Sequence, residues 1–147
     1  MSQIIEQIRE AMKAAMRAKE QERLTTIRMI QAEFKRIEVD ERIALDDARV
    51  LVVLDKMLKQ RRDSISQFEA ADRQELADKE VREMATIQAF LPTPLTPAEI
   101  TALIEAAITE TGASSIKDMG AIMALLRPQI QGRADAAEVS KAIKARF

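Results

Sequence analysis

Apolar residues recur every three or four positions along most of this chain, the spacing that lines one face of a helix. Ile4, Ile5, Ile8, Met12 and Met16 mark a first helix over about 3–18, with Ser2 placed to cap it. The phase is lost at Lys19-Glu20-Gln21-Glu22, which predicts a bend or short turn. Leu24, Ile27, Ile30, Phe34 and Ile37 mark a second helix over about 21–39. An acidic segment follows, Glu38, Asp40, Glu41, Asp46 and Asp47 against Arg42 alone. It reads as a solvated turn, since its spacing matches no metal-binding loop. Asp46 is a good cap for a third helix that reaches about Ala70 and carries Val50, Leu51, Leu54, Met57, Leu58, Ile65 and Phe68. Asp72 is expected to cap a fourth, about 73–90, with Leu76, Met84, Ile87 and Leu91 as its stripe.

Two charges break this pattern. At about 100° per residue, Arg61 falls in the middle of the third apolar face and Glu80 in the middle of the fourth. The turn between those helices is short, so they are expected to be antiparallel neighbours. Counting outward from it sets Arg61 beside positions near 82. Arg61 is therefore expected to pair with Glu80, or failing that with Glu83, partly buried and fixing the register of the hairpin. The competing reading turns Arg61 outward to a ligand.

Leu91-Pro92-Thr93-Pro94-Leu95-Thr96-Pro97 ends the pattern, because closely spaced prolines do not continue a helix. This places a domain over 1–91, a stiff connector over 92–96 and a second domain over 97–147. Three start signals follow: Thr96 to Glu99, with proline at the first helical position, then Ser115 to Asp118 and Asp135 to Glu138. They predict helices over about 97–111, 116–126 and 136–146, the first ending at Gly112 and the second stopped by Pro128. Gly120 lies inside the second; close approach of another helix backbone is the expected reason for it. The fold class is all-α: a four-helix unit followed by a small three-helix unit.

Composition agrees. Of the 147 residues 47% are apolar and only 3% aromatic, so the core is aliphatic. Cysteine, histidine, tyrosine and tryptophan are absent. That removes disulfides, thiolate metal sites and the commonest general base. No G-x-G-x-x-G or P-loop occurs, so a nucleotide cradle is unsupported. Ser114 and Lys117 form an S-x-x-K pattern, but its companion elements are missing and Ser115 is already explained as a cap. No catalytic residue, metal or cofactor is assigned. No apolar run reaches the ~20 residues of a membrane span, and the first turns mix Glu6, Arg9, Glu10 and Lys13 unlike a targeting peptide. A cytoplasmic location is expected.

The net charge is −1, so an anionic partner needs a local surface. From Lys117 onward six basic residues face three acidic ones. Lys117, Arg127, Arg133, Lys141 and Lys144 are the candidate phosphate-binding set, with Arg133 just before a helix start where free amides favour an anion. A phosphate is expected between Arg133, Arg127 and Lys117. Lys56, Lys59, Arg61 and Arg62 form a second basic cluster. The plainer reading makes both clusters solvated faces of an ordinary helical protein. With no aromatic platform, RNA contact would be to backbone and shape.

A resemblance adds to these readings. Arg23-Leu24 through Arg28-Met29-Ile30, Lys59-Gln60-Arg61-Arg62-Asp63-Ser64-Ile65, Leu76-Ala77-Asp78-Lys79-Glu80, Leu91-Pro92, Lys117-Asp118-Met119-Gly120-Ala121-Ile122-Met123 and Gly132-Arg133-Ala134-Asp135 together resemble the YqeY-like family. The C-terminal part of that family is similar to the tail of the B subunit of the tRNA-dependent amidotransferase. Ala136 departs from the pattern, where family members often carry glycine. The resemblance implies a two-part helical fold and a non-catalytic module that binds or accompanies tRNA; the family label of carbon–nitrogen ligase with glutamine as amido donor is inherited from the larger complex. The alternative is an adaptor docking on an amidotransferase or a translation factor. The sequence leaves the oligomeric state open.

Overall fold

A computed structural model describes residues 2–147. These residues form seven α-helices and no strand: α1 (Gln3–Arg17), α2 (Gln21–Glu41), α3 (Asp47–Ala70), α4 (Gln74–Gln88), α5 (Pro97–Thr111), α6 (Met119–Ile130) and α7 (Ala136–Arg146). A single 3-10 turn, Ile116–Asp118, leads into α6. The chain divides into two compact units at Leu91 and Pro92.

In the first unit the stripes of α1–α4 meet in one aliphatic core, with Ile8, Ile27, Ile30, Leu54, Leu58 and Ile87 fully buried. The entry of α1 is fastened to the first turn of α3. Buried Ser2 caps Ile5 N–H at 3.2 Å and donates its hydroxyl to Asp47, which also accepts Ile4 N–H at 3.2 Å. These bonds, the Ser2 hydroxyl first, hold the Asp47 carboxyl below its ordinary range.

This unit contains no glycine, yet its chain reverses three times. Lys19, Arg42 and Asp72 take the left-handed conformation at those points, with φ of 58°, 55° and 58°. Each carries the Cβ crowding that glycine would avoid, about 1 kcal/mol. Asp72 is therefore not the cap of α4. That position is Arg73, which makes no side-chain capping bond, while Asp72 ends α3.

In the second unit Ile104, Ala107, Ile122, Leu126, Ile130, Val139 and Ile143 form a separate core. Thr96 and Glu99 make the reciprocal capping box at the start of α5, at 3.1 and 3.0 Å. Residues 92–96 are tied to this unit: Leu95 N–H donates to the Arg133 carbonyl and Arg133 Nε to the Thr93 carbonyl, each at 2.9 Å. Two expectations for α6 do not hold. The helix does not stop at Pro128 but runs on to Ile130, whose burial in the core draws the last turn onward. Nor does a neighbour press on Gly120: a Cβ there would meet nothing within 4 Å.

Candidate functional site

The basic residues of the second unit fall into two kinds. Lys117, Arg127, Lys141 and Lys144 are exposed and make no ion pair among the described residues. Arg133 and Arg146 are engaged. Arg146 forks onto Glu105 of α5, its Nη2 donating at 3.1 Å, and Arg133 spends its Nε on Thr93. Arg133 also helps to hold the Glu99 carboxyl below its ordinary range, after the larger effect of the Thr96 bonds.

Helix geometry decides which of the free cations act together. Lys141 and Lys144 are three apart on α7 and so share a face. The Ser140 hydroxyl donates to Met119 Sδ at 3.5 Å, which sets this flank of α7 beside the start of α6 and the turn that carries Lys117. Lys117, Lys141 and Lys144 thus gather on one side. Arg127 lies in the last turn of α6, about 15 Å away along the axis. That separation sets Arg127 apart from Lys117 along the helix.

Two of the three local acids serve backbone amides, and the third, Glu138, is exposed on α7 three positions before Lys141. Asp118 turns its carboxylate to the backbone amides of Ser114 and Ser115, at 3.0 and 3.3 Å. Asp135 accepts Ala137 N–H at 3.2 Å. The Ser115 hydroxyl accepts Lys117 N–H at 3.3 Å, a capping geometry, and no hydrogen bond joins Lys117 to Ser114.

In the acidic segment Glu38 accepts Leu45 N–H, Glu41 pairs with Arg49, Asp40 pairs with Arg36 and Asp46 caps α3. No three acidic groups among the described residues converge as a metal site would require. Arg61 turns inward. Its side chain is 12% exposed, its Nε is 3.5 Å from Glu83 and 3.8 Å from Glu80, and its Nη2 donates to Met29 Sδ. Burial first, then the adjoining Glu80 carboxyl, push the Glu83 carboxyl upward, against the pull of Arg61. The second basic cluster thereby loses Arg61 and keeps Lys56 and Lys59 on the exposed side of α3.

Sequence reasoning missed the shallow cleft of about 590 Å³ on the second unit, lined by Leu95, Leu103, Ala102, Pro128, Gln129 and Arg133 with Glu99 on its edge. Its walls come from the connector, α5, α6 and the turn after α6. No periodicity within one helix signals such a juxtaposition.

The described residues thus form an all-helical protein with two hydrophobic cores and several exposed cations without an ion pair on its second unit. The chain belongs to the YqeY-like protein family, which it matches over residues 5–147. It is 30% identical over 145 residues to the "Altered inheritance of mitochondria protein 41, mitochondrial" of Pyrenophora tritici-repentis, covering 96% of this chain and 79% of that protein. Its likeness to the protein of the same name from Eremothecium gossypii is 37% over 94 residues, 63% of this chain and 51% of the relative. An uncharacterized protein of Schizosaccharomyces pombe is 31% identical over 85 residues, 58% of this chain and 69% of that protein. These relatives correct one expectation. The cytoplasmic location rests on the lack of a targeting pattern, whereas the relatives from Pyrenophora tritici-repentis and Eremothecium gossypii are named as mitochondrial. No helix among the described residues is long and apolar enough to cross a membrane.

Proposed function

We propose that this chain is a non-catalytic accessory module that binds or accompanies tRNA through the outer face of its C-terminal unit. The observation that carries the reading is the set Lys117, Lys141, Lys144 and outlying Arg127, exposed and unpaired in a chain whose net charge is −1. Exposed cations without an ion pair also occur on the first unit, Lys56 and Lys59 among them. What favours a partner that brings its own negative charge is the excess of bases over acids from Lys117 onward, with Lys141 and Lys144 on one face of α7. Arg133 adds its field, but its Nε is committed to holding the connector. With no Tyr, Trp or His in the chain, contact runs to phosphate and helical shape. The family likeness to the amidotransferase tail points to the same partner.

Gel shift of the purified chain with tRNA tests this. Binding is expected to fall as salt rises and to be lost on Lys141→Glu with Lys144→Glu. Retention of binding in that double variant rejects the surface. Purified protein is expected to show no glutaminase turnover. The second reading, an adaptor contacting an amidotransferase or a translation factor, is favoured by the cleft beside Arg133. An association that survives nuclease treatment selects it.

A further inference from the structure

We infer that Met29, on the solvent side of α2, is a site of reversible oxidation to the sulfoxide, and that Arg61 holds the oxidised side chain in place. This concerns the first unit alone and stands independently of RNA binding.

The chain has eight methionines and no cysteine, so a peroxide finds its soft nucleophiles in thioethers. Exposure separates them. Met57 is buried, and Met12, Met84, Met119 and Met123 are half-buried. Met16 and Met29 are open to solvent, 49% and 37% exposed. These two differ in what lies beside the sulfur. Among the described residues Met29 Sδ carries a donor and Met16 Sδ carries none. The donor is Nη2 of Arg61, reaching across from α3. Arg61 Nε is buried without a hydrogen bond, 3.5 Å from Glu83 and 3.8 Å from Glu80. The guanidinium is thus held at the sulfur with donor capacity left over.

Sulfur has two lone pairs, and Arg61 engages one. The other attacks an oxygen of hydrogen peroxide or of an organic hydroperoxide. The S–O bond forms as the O–O bond breaks, and the proton of the transferred oxygen passes to the departing one. Sulfur loses two electrons, and the peroxide leaves as water or an alcohol. A thioether is a weak acceptor, whereas the sulfoxide is polar. Rotation about the flexible methionine side chain brings the new oxygen to Nη2, where an ionised donor makes a stronger bond than it makes to sulfur. In apolar surroundings the same oxygen would disrupt packing. At Met29 it meets a cation already aimed at it.

The test is mild hydrogen peroxide treatment of the full chain carrying Met16→Leu, read by peptide mass mapping and thermal melting. Met29 is expected to gain one oxygen and to lose it again to methionine sulfoxide reductases. The melting temperature is expected to stay within about 2 °C of the reduced chain. The side-chain nitrogen signals of Arg61 in NMR should move on oxidation. In a second chain, with Arg61→Leu, Glu80→Gln and Glu83→Gln added, the oxygen lacks its donor, and the same oxidation should lower the melting temperature by about 5 °C. Resistance of Met29 to peroxide, a fall of that size in the chain that keeps Arg61, or the same small change in both chains overturns the inference. Arg61 signals that stay in place overturn it even where the second chain fails to fold.

Discussion

Arg61 Nε stands 3.5 Å from Glu83 Oε2, inside ion-pair range, yet it is buried and makes no hydrogen bond. With Glu80 at 3.8 Å the cluster holds one cation and two carboxylates, none more than a quarter exposed. A pair of this kind adds little net stability, because desolvation offsets its attraction, but removing the one cation strands two carboxylates. Arg61→Ala should therefore cost about 2–3 kcal/mol, the lower edge of the range for a broken buried pair, since all three side chains retain some water contact. Replacing the whole cluster at matched size, Arg61→Met with Glu80→Gln and Glu83→Gln, should return stability to within about 1 kcal/mol of the native chain. Urea unfolding of the two variants checks both figures.

The raised Glu83 carboxyl predicts a pH dependence with a definite sign. The folded chain holds this proton more tightly than the unfolded chain, whose carboxyl titrates near 4.5. Stability from this group is therefore greatest below that value and declines as pH rises through the raised one. Glu83→Gln should stabilise the protein at neutral pH and flatten this part of the profile. Asp47 acts oppositely: its lowered carboxyl contributes above the ordinary value of 3.8 and is lost as pH falls further. Unfolding midpoints of native chain and Glu83→Gln, measured from about pH 2.5 to about pH 8, separate the two contributions, Asp47 acting below 3.8 and Glu83 above 4.5.

Gly112 and Gly120 offer a paired test, since a Cβ added at either would meet nothing within 4 Å. Gly112 closes α5 at φ 67°, where an L side chain is strained. Gly112→Ala should cost about 1 kcal/mol for that reason alone. Gly120 is an exposed residue of α6 with ordinary helical geometry, and Gly120→Ala should gain about 0.5–1 kcal/mol. Thermal melts of the two variants should move in opposite directions; a loss at Gly120 would contradict the open surroundings of that residue.

Much of this was legible in the chain because helices announce themselves locally. Ile27, Ile30, Phe34 and Ile37 lie on one face by arithmetic, and the Thr96 and Ser115 signals produce caps where they stand. Breakers were less reliable. Pro128 reads as a stop because it lacks an N–H, but an exposed position tolerates that loss while Ile130 still needs the core. Asp72 reads as a cap, yet its left-handed backbone follows the end of the preceding helix. Phase arithmetic set Arg61 toward the acids of α4, but nothing local foretold that Met29 would take one of its donors. The candidate site was legible only as a charge count. Which cations are free depends on pairs 40 residues apart, such as Arg133 with Thr93, and no periodicity encodes them.

The measurement closest to the central claim is the salt dependence of tRNA affinity. Each phosphate contact contributes roughly −0.9 to the slope of log K against log salt. Lys117, Lys141, Lys144 and Arg127 together predict a slope of about −3 to −4, or roughly a hundredfold loss between about 50 and 200 mM salt. Lys141→Ala with Lys144→Ala should make the slope shallower by about 2. A flat response, or a slope unchanged in the double variant, would contradict the account.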